Sequence, residues 1–319
     1  MKIDLNLKNV FYIGCMTSLR YAIPFIKSTK KLLDVDVVLA YDSEMKNEKY
    51  NNINLNLKRL LEIVKENDIS IIDISNVNLK TQVLICVENV VCNVKYDKIF
   101  SVQHGFDYYI NLLKLEKNIV YLVQDSHHQA VLQDVGIESL IQPFPIIFWD
   151  WDYYVKYIDE NFSFKKSALI FYPEFNLEKQ ARQVYEFLKN ENYDIYVKQR
   201  AKHQRVPEDL QKIIYDNVWY PAEAVFLSMM SDVVVGFGTS AYTDLIKLNR
   251  KFFDFCLTEE SKKYWKPQQT NFFVLPENFD KSFPIFTESI CNNNVNLDKR
   301  FQNYSNFQIL NFLNNIIAK

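Results

Sequence analysis

Short runs of Val, Ile, Leu, Phe and Tyr alternate with longer stretches of helical spacing along this chain, and the whole pattern occurs twice. No other feature restricts the fold as much, because strands that alternate with helices build parallel sheets from βαβ units. In the first set, "NVFYIG" (9–14), "DVDVVLAYD" (34–42), "ISIIDI" (69–74), "KIFSV" (98–102) and "NIVYLVQ" (118–124) read as strands. "SLRYAIPFIKSTKKLL" (18–33), "NLKRLLEIVKEN" (56–67) and "SHHQAVLQDVG" (126–136) read as helices, the last closed by Gly136. The second set has strands at "SALIFYP" (167–173), "YDIYVKQ" (193–199), "DVVVGF" (232–237) and "KFFDFCL" (251–257). Its helices are "NLEKQARQVYEFLKN" (176–190), "PAEAVFLSMM" (221–230), opened by Pro221 at a first-turn position, and "TSAYTDLIKL" (239–248). Between the sets, "PFPIIFWDWDYYVKYIDEN" (143–161) is rich in proline and aromatics and reads as a crossover.

The expected fold is therefore α/β, with two Rossmann-like domains facing each other. The first spans 1–145 and the second 146–319, and the last helix, "NFQILNFLNNIIAK", is a candidate to cross back. At 319 residues and 48% hydrophobic content the chain can bury two cores, given a norm of about 150 residues per domain. A net charge of −2 gives no polycation for nucleic acid. Cys15, Cys86, Cys92, Cys256 and Cys291 are scattered without a C-x-x-C pair, as expected for reduced thiols in a cytoplasmic protein. With only four histidines, no Cys/His metal site is expected. The N-terminus lacks the pattern of a targeting segment. Nowhere do about 18 apolar residues run without charge.

Ligands of doubly wound sheets bind outside the carboxyl ends of the strands. After the first strand come Gly14, Cys15, Met16, Thr17 and Ser18; Thr17 and Ser18 suit either a cleft or a helix cap. "KIFSV" ends in Gln103-His104-Gly105, where an imidazole beside a flexible glycine suits general-base work. "NIVYLVQ" ends in Asp125, Ser126, His127 and His128, with helix capping as the simpler use. Lys198, Arg200, Lys202, His203 and Arg205 follow another strand and make an anion site if they are not merely a solvated basic stretch. "SDVVVGFGTSAYTDLIKLNRKFFDF" (231–255) places Gly236, Gly238 and Ala241 in G-x-G-x-x-A spacing, with Asp254 about where a dinucleotide site keeps its ribose acid.

"FSVQHGFDYY" followed by "YLVQDSHHQAVLQDVGIESLIQPFP" resembles the His-Gly segment of the CDP-glycerol glycerophosphotransferase-like proteins and related GT-B glycosyltransferases. "DIYVKQRAKHQRVPE" is similar to that family's K-x-H-P strand end, without an intact His-Pro pair. "FLSMMSDVVVGFGTSAYTDLI" is similar to its block of L-x-x-S-D followed by a serine-rich turn and an acid. Phe144 and Pro145 occupy the family's G-x-P turn, so its glycine is missing. The likeness covers roughly residues 95–256 and rests on order and spacing. It implies the GT-B architecture, with the nucleotide donor mainly on the second domain and the acceptor on the first. Gly236, Gly238, Thr239 and Ser240 would then hold donor phosphate at a helix N-terminus, and Asp244 would bind the ribose. Lys198, Arg200 and His203 would neutralise the leaving phosphate. His104 would deprotonate the acceptor hydroxyl. From their strand ends alone, Asp125 is a second catalytic candidate, and Thr17, Ser18, Gly105, His127 and His128 are candidates for the acceptor side or the cleft.

The resulting expectation is metal-independent transfer of a sugar or glycerol phosphate from a CDP-, CMP- or UDP-linked donor to a hydroxyl of a bacterial surface glycan or glycolipid. No cofactor is implied beyond the nucleotide donor. Positive side chains and a helix N-terminus would stand in for a metal. "DWD" (150–152) fits a D-x-D pattern but lies in the aromatic crossover, where packing is the preferred role. The work would be cytoplasmic, with peripheral attachment to the inner membrane face left open. Two other readings stand beside it: an NAD(P) oxidoreductase using 236–241, and a non-catalytic nucleotide or glycan binder. The first is disfavoured because only 89 residues (231–319) remain after the glycine motif begins, too few regular units for a dinucleotide domain.

Overall fold

The computed structural model describes residues 2–44, 57–87, 94–103, 115–161, 166–173, 177–199, 206–207, 209–210, 212–214, 224–239, 245, 250–255, 279–292 and 305–318. The chain forms two compact units, Met1–Trp151 with Gln302–Lys319, and Asp152–Phe301. The division thus falls at Trp151/Asp152 rather than 145/146, and the C-terminal segment counts with the first unit.

The first unit holds a parallel sheet of seven strands: β1 (Ile3–Tyr12), β2 (Val38–Tyr41), β3 (Ile71–Asp73), β4 (Val77–Val87), β5 (Val94–Val102), β6 (Val120–Val123) and β7 (Ser139–Ile141), in the order β3-β2-β1-β4-β5-β6-β7. Every pairing is parallel. β6 and the second halves of β1, β4 and β5 are buried, as strands covered on both faces must be. β4 is the central strand that the hydrophobic pattern did not reveal. In "VNLKTQVLICV" polar residues hold alternate positions up to Gln82, so the run is neither continuously apolar nor helical. β4 pairs Leu7 with Thr81 and Asn9 with Val83, skipping one residue on each strand. At this interruption the buried Thr81 hydroxyl lies 2.9 Å from the Lys8 carbonyl and 3.0 Å from that of Val83.

Helix α1 (Leu19–Leu33) buries Tyr21, Ile23, Phe25 and Ile26 and ends on Asp34 in the left-handed region. Pro24 lies inside it, past the first four N–H groups, and removes one i→i−4 hydrogen bond of the helix. α2 (Leu57–Glu66) and α3 (Ser126–Asp134) follow, the latter ending before Gly136 at φ +72°. The aromatic crossover folds as a 3-10 turn, Ile146–Phe148, leading into α4 (Trp151–Asn161). Trp149 packs on Phe25 at 5.8 Å and on Phe312 at 5.9 Å between ring centres. Asp150 pairs with Lys27 at 2.5 Å. Beyond the last helix, Asn9 and Ala318 exchange two 3.2 Å hydrogen bonds, so the C-terminal tail is tied to β1.

The second unit carries β8 (Ser167–Phe171), β9 (Asp194–Lys198), β10 (Ile213–Ile214), β11 (Val233–Gly236) and β12 (Phe253–Asp254), all parallel, in the order β10-β9-β8-β11-β12. α5 (Glu178–Asn190) lays Ala181, Val184, Tyr185 and Leu188 on the sheet at helical spacing. α6 (Ala224–Met230) precedes β11. α7 (Phe279–Cys291) adds Phe279 and Phe286 to a cluster with Phe253 and Phe255, at 4.8–4.9 Å for the closest rings. The last helix, α8 (Asn306–Asn314), belongs to the first unit. Arg250 is 2% exposed and donates to the carbonyls of Ser228, Ser231 and Asp232, clamping the exit of α6. Burial lowers its pKa to about 10, so it is a cation at neutral pH.

Candidate functional site

In doubly wound sheets the ligand crevice opens where the strand order reverses. That point falls between β1 and β4 in the first sheet and between β8 and β11 in the second. β11 ends in Gly236, so the glycine motif stands at the reversal of the second sheet and not after that sheet's first strand.

Strand register assembles the site there. Lys198 pairs with Phe171, Ile170 with Val235, and Gly236 with Asp254. Carrying the β8–β11 register one residue past Val235 sets Gly236 beside Phe171, so Lys198, Phe171, Gly236 and Asp254 form one row. Their predecessors Val197, Ile170, Val235 and Phe253 belong to the core cluster on the other face; alternation then puts the row on the opposite side. Lys198 is 5% exposed and Asp254 fully buried. Gly236 contributes no side chain between them. Gly238 is exposed at φ +74°, a conformation that favours glycine, and its N–H donates to Asp254 Oδ1 at 2.8 Å. The acid that a dinucleotide reading would give to a ribose therefore faces the turn itself. Thr239, next in the chain, is buried.

Tyr172 extends β8 by donating its N–H to the Lys198 carbonyl at 3.0 Å. Burial first, and the Glu178 carboxylate second, raise its phenol far above the ordinary value, so it is a neutral hydroxyl at these strand ends.

The first unit treats its strand ends differently. β5, β6 and β7 are each followed by a buried glutamine: Gln103, Gln124 and Gln142. Gln103 Oε1 accepts from the Gln124 N–H at 3.0 Å. Gln142 donates through Nε2 to the Leu122 carbonyl at 2.7 Å and accepts from the Ile146 N–H at 3.3 Å. Of these the sequence reading named only Gln103, and gave it no role. Their signal was present, because a glutamine ends each of the runs "FSVQ", "YLVQ" and "SLIQ".

Asp125 caps α3, accepting from the His128 N–H at 2.9 Å. The same Oδ1 lies 2.8 Å from His128 Nδ1. With Nδ1–H donating, the tautomer assigned by this contact leaves the lone pair on Nε2. His128 is 2% exposed, so Asp125 acts both as cap and as orienting group for an imidazole. After β1, Thr17 and Ser18 stand in a 3-10 turn opening α1. Ser18 sits at the cap position without a side-chain capping bond. Cys15 Sγ lies 2.7 Å from Thr17 Oγ1 and 3.6 Å from Ser18 Oγ, so the two hydroxyls gather around a buried thiol.

His104, Gly105, Arg200, His203, Ser240 and Asp244 lie outside the described residues, as does the side chain of His127. Among the described residues no group of three His, Cys, Asp or Glu could hold a metal ion, and no helix is long and apolar enough to cross a membrane.

Two parallel sheets of this kind, each with its reversal point, define the GT-B fold. Comparison with solved structures agrees over nearly the whole chain. UDP-GlcNAc 2-epimerase of Methanocaldococcus jannaschii, solved with UDP-GlcNAc and UDP, matches with a TM-score of 0.58 at 11% identity, covering 97% of this chain and 99% of that one. The wall teichoic acid polymerase TagF matches with a TM-score of 0.56 at 11% identity, covering 97% and 87%. UDP-GlcNAc 2-epimerase of Neisseria meningitidis, solved with UDP-GlcNAc, gives 0.54 at 9% identity, covering 97% and 100%. At such identities the likeness is one of fold: this chain has the GT-B fold. No family model matches the sequence, and no curated protein matches it.

Proposed function

We propose that this chain is a nucleotide-sugar-dependent enzyme that transfers a sugar or glycerol phosphate from a nucleotide-activated donor to a hydroxyl of a surface-glycan acceptor. The observation that carries the reading is the row at the carboxyl ends of the second sheet. There a buried lysine, a position without a side chain and an exposed glycine turn meet at the strand-order reversal. In this reading Lys198 answers the negative charge of the donor phosphates, joined by Arg200 and His203. Thr239 and Ser240 supply hydroxyl and N–H donors, and Asp244 takes the ribose. His104 removes the proton from the acceptor hydroxyl. That oxygen bonds to the transferred group, and the bond from this group to the nucleotide phosphate breaks. Asp125 acts through His128, and Thr17 and Ser18 belong to the acceptor side.

A second reading, nucleotide-sugar epimerisation, is favoured by the coverage of complete epimerase chains. Thermal shift against CMP, CDP, UDP, UDP-GlcNAc, NAD(H) and NADP(H) tests the nucleotide class. A real site gives about 2.7 kcal/mol at a hundredfold excess over Kd. The expected response is to pyrimidine nucleotides, and a response to NAD(P) alone would overturn both readings. Incubation with UDP-GlcNAc or CDP-glycerol then separates them. Nucleotide release that depends on an added glycan acceptor supports the transferase. Conversion of the sugar without release of nucleotide supports the epimerase.

A further inference from the structure

We propose that Asp254 is a specificity-determining residue that makes the glycine turn favour the doubly charged pyrophosphate of an intact nucleotide-linked donor over a more highly charged free nucleotide. The inference rests on the nucleotide reading above and adds to it a selection by charge.

Asp254 is fully buried and holds the Gly238 N–H at 2.8 Å. Its strand partner is Gly236, and the following N–H, of Phe255, donates to the Gly236 carbonyl at 3.0 Å, so the strand carrying the acid is bound to both ends of the turn. One backbone donor of the turn is thus already given to a carboxyl group of the protein. Ionised, as the proposal requires, that group would oppose every charge a ligand phosphate adds at the turn, and would do so strongly where water is excluded. Lys198, in the same row beyond Phe171 and Gly236, supplies the opposite sign. Together they set a charge that the turn accepts. A sugar linked through a pyrophosphate diester carries two negative charges. The free nucleoside diphosphate released from it carries about three at neutral pH, so the same device that admits the donor weakens product binding.

Calorimetric titration of UDP-GlcNAc, CDP-glycerol, uridine and cytidine and of the 5′-mono-, di- and triphosphates of both nucleosides, at fixed ionic strength, reads this directly. In the wild-type protein the two-charge donors should bind more tightly than the free diphosphates, and affinity should not rise from diphosphate to triphosphate. Asp254→Asn keeps an oxygen to accept the Gly238 N–H and removes the charge. It should bind the diphosphate about three- to tenfold more tightly, the triphosphate more tightly still, and the nucleoside unchanged. A merely structural role for Asp254 would move all ligands together. If Asp254→Asn shifts nucleoside and diphosphate equally, or leaves the diphosphate unchanged, this inference is overturned while the nucleotide reading stands. If Asp254→Asn does not fold, the wild-type series still decides, because affinity that climbs at every added phosphate overturns it. Binding of no member of either series by the wild-type protein overturns the nucleotide reading and this inference with it.

Discussion

The carboxyl ends of the two sheets solve one physical problem with different chemistry. In the first unit β5, β6 and β7 are each followed by a buried neutral amide, Gln103, Gln124 and Gln142, and the side chains of Gln103 and Gln142 satisfy backbone groups without burying charge. In the second unit the corresponding layer buries Lys198 and Asp254. Burying ions costs several kcal/mol each before any compensation, and amides could have served the backbone alone. Under the proposed function the second layer is kept for a charged ligand, and the first is a support for residues beyond it.

The largest expected effect tests that division of labour. His104→Ala should lower turnover by about 10²–10⁴-fold and leave nucleotide affinity nearly intact. Lys198→Met should do the opposite, weakening nucleotide binding by about 1.5–3 kcal/mol. Nucleotide Kd, melting temperature and turnover measured on the same preparations decide it. If Lys198→Met binds nucleotide as the wild type does, the comparison between the layers collapses. Next in size is the cost of deleting each kind of support. Arg250→Ala strips charge-assisted bonds from three carbonyls and should cost about 3 kcal/mol in denaturant unfolding. Gln142→Ala removes neutral bonds and should cost about 1–2 kcal/mol. Equal losses would mean that charge has no special place in the second unit.

The smallest effect concerns pH. Asp73, at the end of β3, is partly buried, which alone would raise its pKa; the Ser43 hydroxyl and the Ser75 and Ser43 N–H groups outweigh this and hold it below the usual carboxylate value. A lowered folded pKa stabilises the fold above the unfolded pKa, near 4, and that contribution is lost as pH falls through the folded value. Asp73→Asn should therefore lower the melting temperature at neutral pH and lose that deficit as pH falls below about 4, so that its stability curve has a flatter acid limb that converges on the wild-type curve.

The sequence was most legible where apolar runs are uninterrupted. β6, β8, β9 and β11 and the helices α3 and α5 fall where periodicity puts them. β4 was hidden because its first half is polar at alternate positions, and β7 because three residues carry too little pattern. Of the candidate site, the glycine turn and Lys198 were visible as strand-end residues. The partner of the turn was not: that Asp254 faces Gly238 depends on a register between β11 and β12 that no local pattern encodes. Asp125 was readable as a cap from its place before a helix, but its second bond, to the His128 ring, depends on a rotamer.

The tie between Asn9 and Ala318 has a consequence for the order in which the molecule is made. β1 leaves the ribosome before the second unit, yet the helix whose Phe312 covers Trp149, and the tail that meets Asn9, emerge after the whole of it. The unit begun first is therefore finished last. Until then the Phe25–Trp149 surface stays open while a complete second unit folds downstream of it. Nascent chains generally fold domain by domain from the N-terminus, and here the connectivity reverses that schedule, leaving an aromatic face for a chaperone or a neighbouring chain to meet before its own helix arrives.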